Sequence, residues 1–290
     1  MTRYKICCSN SGGFLMNELE NKRKKLENIL EEMGNVAVAF SGGVDSALLL
    51  AVAARMFHVK LIAVTATSIS YAEHEKDDAQ RFAQRMGVKH RYLDFDQMSI
   101  PEFVANGPER CYYCKKAIFS AIQAYVAEDG FTNVVDGSNA DDVKEYRPGS
   151  KALAELGIRS PLREAGLSKD EIRKLSRDMG LFTASKPSYA CLATRIQYGE
   201  PITPEKLARV EQAEDFLAKL GFTHIRVRSY GTLVRIEVEP SQITLMAQVN
   251  TRNKIVARFK ELGYNYITLD LAGFRSGSMD AGLPKPQQNC

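Results

Sequence analysis

Ser41-Gly42-Gly43-Val44-Asp45-Ser46 follows the apolar run Val36–Phe40 directly and leads straight into the helix-spaced apolar run Ala47–Met56. Val36–Phe40 is continuously apolar and rich in β-branched residues, the pattern of a strand buried on both faces. Two glycines let the backbone approach a phosphate closely, and the helix that follows aims N–H groups and partial positive charge at the anion. Ser41 and Ser46 add hydroxyls, and Asp45 is placed to hold a magnesium ion bridging phosphates. A Walker A loop would need a lysine, and a dinucleotide fingerprint a third glycine; neither is present.

The same alternation continues outward. The periodicity predicts a helix over Asn17–Met33, then helices at Ala47–Met56, Glu73–Met86 and Lys115–Glu128, with strands at Leu61–Thr67, Lys89–Phe95 and Asn133–Asp136. Strand and helix in turn specify an α/β fold with a doubly wound parallel sheet. After a helix at Lys169–Met179, the stretch Phe182–Pro204 reads as irregular. The order then changes to helix Pro204–Leu220, strands His224–Arg228 and Leu233–Val238, helix Gln242–Leu262 and strand Tyr266–Leu271. That pattern predicts a small α+β unit over 201–275, following a nucleotide-binding unit over 17–200. Residues 1–16 are expected to form a mobile leader, and 276–290 a tail.

Net charge is +4 over 290 residues. This suits an anionic ligand such as a nucleotide but lacks the basic stripe of a nucleic-acid binder, so nucleic acid is not expected. No apolar run approaches the length needed to span a bilayer, and the first residues lack the apolar core of a secretory leader, so a cytoplasmic protein is expected. Six cysteines are unevenly spread. Cys7, Cys8 and Cys290 fall near the ends and are assigned no role. Cys111 and Cys114 form a CxxC, and Cys191 stands apart from them. A CxxC can be a redox pair, half of a zinc site or incidental. No second CxxC and no nearby histidine completes a four-ligand zinc site. Three thiolates with one open position suit a 4Fe–4S cluster, which ordinarily takes four cysteines. The four histidines share no metal-binding spacing.

SGGVDS resembles the signature loop of the PP-loop ATPases, which cleave ATP between its α and β phosphates and leave an adenylated substrate. In folds of this kind ligands lie beyond the carboxyl ends of the strands. Thr65 and Thr67 are therefore expected to meet the adenine, and Gly137, Asn139 and Asp141 to face the same site. Asp136-Gly137-Ser138-Asn139-Ala140-Asp141-Asp142 resembles the DG[ST]NxDD element of one branch of these enzymes, and its alternative reading is a polar turn. Lys186-Pro187-Ser188-Tyr189-Ala190-Cys191-Leu192-Ala193-Thr194-Arg195 is similar to the KPxxACLAxR segment of the LarE sulfur transferases. The likeness extends over roughly Leu15 to Met279, through Ile225–Arg228 and Thr268–Ser278.

That resemblance implies adenylation of a carboxylate on a pyridinium biscarboxylate mononucleotide, its conversion to a thiocarboxylate, and a place in making the nickel-pincer nucleotide. It implies ATP and Mg2+ as cofactors, with Ser41, Gly42, Gly43, Asp45 and Ser46 on the phosphates. In many members the cysteine matching Cys191 surrenders its own sulfur. The added Cys111 and Cys114 resemble the subgroup in which three cysteines hold a cluster that accepts sulfide from a donor and passes it on. The resemblance further assigns Lys115, Arg226 and Arg228 to the substrate phosphate, Arg195 and Glu214 to the site, and a symmetric homo-oligomer. Two rival readings remain open: a tRNA thiolase, and a PP-loop ligase using ammonia. A nucleotide-binding regulator would bind ATP without releasing pyrophosphate.

Overall fold

A computed structural model describes residues 11–144, 148–186, 190–275 and 277–279. The first helix, α1 (Ser11–Met33), starts six residues before the expected Asn17. The chain then runs through β1 (Asn35–Ala39), α2 (Val44–Ala53), β2 (Lys60–Thr67), α3 (Glu73–Met86) and β3 (His90–Asp94). A short α4 (Pro101–Val104) precedes α5 (Arg110–Ala127), β4 (Val134–Val135), α6 (Pro148–Glu155), α7 (Pro161–Glu164) and α8 (Lys169–Asp178). The strands form one parallel sheet in the order β3-β2-β1-β4.

Alternation of side chains along β1 explains why the sheet is covered twice. Val36 and Val38 join the core built by α1, α2, α7 and α8, and Ala37 joins Ile62, Val64 and residues of α5 and α6 on the other face. Helix α2 is apolar nearly all round, and every residue of it except Asp45 is buried. It is an interior helix rather than a surface one, so packing fixes its N-terminus at the carboxyl end of the interior strand β1.

A second core is formed by α9 (Pro204–Lys219), β5 (Arg226–Tyr230), β6 (Leu233–Glu237), α10 (Ile243–Ala247), α11 (Val249–Glu261) and β7 (Tyr266–Leu269). Strand β6 pairs antiparallel with β5 and parallel with β7. This core also takes Phe103, Leu192, Ala193 and Ile196 from before residue 201, with Ile202 just after it, and Cys114 packs against it. The two cores thus meet where the cysteines lie.

Several boundaries differ from the sequence reading. Helix α5 begins at Arg110 and not at Lys115, so the CxxC lies in its first turn, after Gly107-Pro108. Strand β5 begins two residues late because His224 adopts a left-handed φ of 49°, which cannot continue an extended strand. The helix expected over Gln242–Leu262 is broken at Gln248, whose ψ of 142° is extended. Of the stretch expected to be irregular, the described residues 182–186 and 190–203 hold no α-helix or strand and form two single 3-10 turns, and Pro204 opens α9. No described helix is long and apolar enough to cross a membrane.

Candidate active site

The loop after β1 is shaped by its own side chains. Ser41 Oγ and Ser46 Oγ lie 3.1 Å apart, the Ser41 N–H donates to Ser46 Oγ at 3.3 Å, and Gly42 takes a φ of 72° that favours glycine. Gly43 starts α2 without a side-chain cap, leaving the first-turn N–H groups to face an anion. Gly137 is needed for a different reason. A Cβ placed there would stand 2.9 Å from the Ser46 backbone nitrogen, so the strand-end loop after β4 is pressed against the start of α2.

That loop folds on itself beside Asp45. The Asn139 N–H donates to Asp142 Oδ2, the Asp141 N–H donates to Asn139 Oδ1, and Asn139 Nδ2 donates to Asp45 Oδ1 at 3.4 Å. Asp141 Oδ2 in turn accepts from the Lys169 N–H at 2.8 Å, and the Lys169 ammonium is paired with the Asp45 carboxylate. Gly137, Asn139 and Asp141 are therefore gathered with Asp45 at one end of the sheet. Lys169 is an addition that the sequence reading missed, although the capping box Ser168-x-x-Glu171 marks the helix start next to it. Thr65 is fully buried. Its hydroxyl donates to the Phe40 carbonyl at 2.6 Å and lies 2.8 Å from His90 Nε2, so its side chain is occupied within the sheet. Thr67 is half-buried and lines a cavity of about 440 Å³ with Ser68, Tyr71, Asp94, Asp96 and Glu211.

The fold brings Cys191 to the CxxC. In the first turn of α5, Cys111 and Cys114 share a face at a spacing of three. Burial pushes the Cys114 thiol up to about 12, and the neighbouring Cys191 charge adds to this. Burial also raises the Cys111 thiol, opposed by the Arg110 guanidinium and reinforced by Cys191. Cys191 is exposed, whereas the other two are partly buried. A hydrogen-bonded chain links the two arms. Cys191 Sγ donates to Ser70 Oγ at 3.0 Å, Ser70 Oγ donates to Gln97 Oε1 at 2.5 Å, and Gln97 Nε2 donates to Cys114 Sγ at 3.0 Å. Among the described residues, no three Cys, His, Asp or Glu side chains converge on a single-ion site.

Two contacts tie this set to the phosphate loop. Tyr71, next in sequence to Ser70, places its hydroxyl 3.0 Å from the Ser41 carbonyl. Lys186, five residues before Cys191, donates to the Gly42 carbonyl at 3.3 Å and pairs with Glu75 and Asp78 at 2.8 and 2.9 Å. Pro187–Tyr189, part of the quoted cysteine segment, and Cys7, Cys8 and Cys290 fall outside the described residues.

Arg195 and Glu214 form a buried bidentate pair. Arg195 Nε and Nη2 each donate to Glu214 at 2.9 Å, and Nη1 donates to the carbonyls of Ala190 and Cys191. Burial alone would raise the Glu214 carboxyl. The Arg195 charge and hydrogen bonds, with Arg226 and the Val227 N–H, outweigh it and hold the group below the usual carboxylate range. Arg226 and Arg228 flank Val227 on β5 and are buried, not solvated. The Arg226 guanidinium lies 5.0 Å from the Phe274 ring centre, and Arg228 donates to the Thr194 carbonyl and to Glu237, which is wholly buried. Lys115 lies along Gly149, where a Cβ would stand 2.6 Å from its Cδ.

A parallel sheet with an uncapped helix start behind an SGGxDS loop defines a PP-loop ATP-using enzyme, and residues 25–143 match the family described as asparagine synthase. The chain is 36% identical over 273 residues to the pyridinium-3,5-bisthiocarboxylic acid mononucleotide synthase of Lactiplantibacillus plantarum, covering 94% of this chain and 98% of that protein. It is 41% identical to the uncharacterized protein slr1717 of Synechocystis, covering 92% and 100%, and 31% identical to the uncharacterized protein MJ0830 of Methanocaldococcus jannaschii, covering 87% and 96%. The chain belongs to the LarE family of ATP-dependent sulfur transferases.

Proposed function

We propose that this protein adenylates a carboxylate of pyridinium-3,5-biscarboxylic acid mononucleotide and converts it to a thiocarboxylate, in the making of the nickel-pincer nucleotide. The observation that carries the reading is the adjacency of Ser70 and Tyr71: one hydrogen-bonds Cys191 and the next reaches the phosphate loop. Adenylation and sulfur delivery would thus occur on either side of one short segment.

ATP would lie with its phosphates at the start of α2, where N–H groups and the Ser46 hydroxyl offset the charge of departing pyrophosphate. Asp45, backed by Asn139, would hold Mg2+ in exchange for its pairing with Lys169. The substrate carboxylate oxygen bonds to the α-phosphorus as the bond to pyrophosphate breaks. Sulfur at the cysteine site then bonds to the acyl carbon, and AMP leaves with the former carboxylate oxygen. A carboxylate oxygen alone is a poor leaving group; as part of AMP it departs readily. Lys115, Arg226 and Arg228 would meet the substrate phosphate, although Arg228 must share its guanidinium with Glu237.

Cys111, Cys114 and Cys191 would hold a 4Fe–4S cluster; the hydrogen-bonded path from Cys191 through Ser70 and Gln97 to Cys114 supports their acting together. Such a cluster supplies an iron with a free position, able to take sulfide from a donor and hand it on. A homo-oligomer accompanies this reading.

The test is AMP and pyrophosphate release from ATP with the mononucleotide as substrate. Release that depends on the mononucleotide and disappears in Asp45→Ala supports the proposal. Release elicited by tRNA and not by the mononucleotide would overturn it.

A further inference from the structure

Ser70 and Gln97 are buried polar side chains on loops, the first after β2 and the second in the single 3-10 turn after β3. Neither belongs to the phosphate loop or to the cysteine segments. A buried hydroxyl and a buried amide each need partners, and both find them in the cysteines and in each other. We infer that Ser70 and Gln97 are positioning residues of the sulfur site, which fix Cys191 against Cys114 and hold one hydrogen-bonding partner against each sulfur.

Three features of the geometry support this. Cys191 and Cys114 come from different elements, and the Ser70–Gln97 link is the direct hydrogen-bonded path between them. Ser70 holds the cysteine segment at two points, since its backbone carbonyl also accepts from the N–H of Leu192, next after Cys191, at 3.2 Å. Cys191 is exposed, so its sulfur depends on these bonds rather than on packing for its position, whereas Cys114 is already packed against the second core. Residues that orient the groups around a sulfur or metal site through hydrogen bonds commonly matter about 10–100-fold to its assembly.

This rests on the reading of the three cysteines as the sulfur site, so its test uses neither substrate nor cluster. Full-length protein, reduced and metal-free, is treated with dibromobimane, whose two bromomethyl arms alkylate two nearby thiols. Two C–S bonds form, two bromides leave, and the two thiol protons pass to buffer. Peptide mapping separates the Cys114–Cys191 product from the local Cys111–Cys114 product, which serves as an internal reference. Ser70→Ala and Gln97→Leu, which removes both the acceptor for Ser70 and the donor to Cys114, should each lower the Cys114–Cys191 product about tenfold against that reference. Ser70→Thr, which keeps a hydroxyl, should restore it. A ratio unchanged in both Ser70→Ala and Gln97→Leu, or no Cys114–Cys191 product in the unaltered protein, overturns the inference. Failure of sulfur transfer alone leaves this ratio as it is, so it would tell against the proposed reaction and not against the positioning.

Discussion

Replacing Glu214 by Ala strips a buried guanidinium of its counter-charge. The Arg195 side chain is 1% exposed, and the substitution removes both 2.9 Å bonds from it, together with the acceptor of the Val227 N–H. Breaking a buried pair from one side costs about 3–5 kcal/mol, because the remaining charge is left without water or counter-charge, with only neutral acceptors on Nη1. The double variant Arg195→Met, Glu214→Leu removes both charges and fills the space with apolar atoms. It should therefore lose less stability than Glu214→Ala alone, although the carbonyls of Ala190 and Cys191 forfeit their donor. Urea unfolding followed by circular dichroism, applied to the unaltered protein, Glu214→Ala, the singles Arg195→Met and Glu214→Leu, and the double variant, measures these costs and gives the coupling between the two sites. A Glu214→Ala protein within about 0.5 kcal/mol of the unaltered one would refute the reasoning. So would a double variant whose cost equals the sum of the singles.

Other outcomes follow from the same geometry. Because the folded Glu214 carboxyl lies below its ordinary value of 4.5, its contribution to stability is full above that pH and is lost as pH falls through the folded value. Glu214→Gln should flatten the acid side of the stability profile by about one proton, or about 1.4 kcal/mol per pH unit, as read from urea midpoints at stepped pH. Gly137→Ala forces a methyl group onto the Ser46 nitrogen; it should cost about 1–3 kcal/mol of stability and sharply reduce pyrophosphate release, and normal release would contradict the packing described. Lys169→Met frees the Asp45 carboxylate from a partly exposed pair, so the magnesium concentration for half-maximal pyrophosphate release should fall by up to about fivefold.

The phosphate loop was legible because strand, glycines and helix are contiguous, and because Val36–Phe40 has the unbroken apolar character of a buried strand. The parallel sheet followed from alternation alone. The junction of the two cores was not legible, since nothing in the spacing of Phe103 or Leu192 says which core will take them. The start of α5 was missed for a local reason: Arg110 to Cys114 carries no apolar periodicity, yet Gly107-Pro108 leaves the chain free to begin a helix there. Ser70 and Gln97 lie just past the ends of β2 and β3, where the rule that ligands gather beyond strand ends applied. The reading stopped at Thr67, whose neighbour Thr65 turned out to serve the sheet. Arg226 and Arg228 were assigned to the substrate phosphate by the resemblance, with no sign in the sequence of how deeply they lie. Their burial against Phe274 and Glu237 depends on partners some ten to fifty residues away, which a strand pattern does not reveal.

The most direct test of the central claim counts sulfur. Protein purified without oxygen is supplied with ATP, magnesium, sulfide and the pyridinium biscarboxylate mononucleotide; thiocarboxylate, AMP and pyrophosphate are quantified per chain, and the mass of the Cys191 peptide is read afterwards. The account predicts more than one thiocarboxylate per chain, one AMP and one pyrophosphate for each, and an unaltered Cys191. A single product per chain with Cys191 short of the elements of hydrogen sulfide would contradict the three-cysteine carrier and make Cys191 itself the donor.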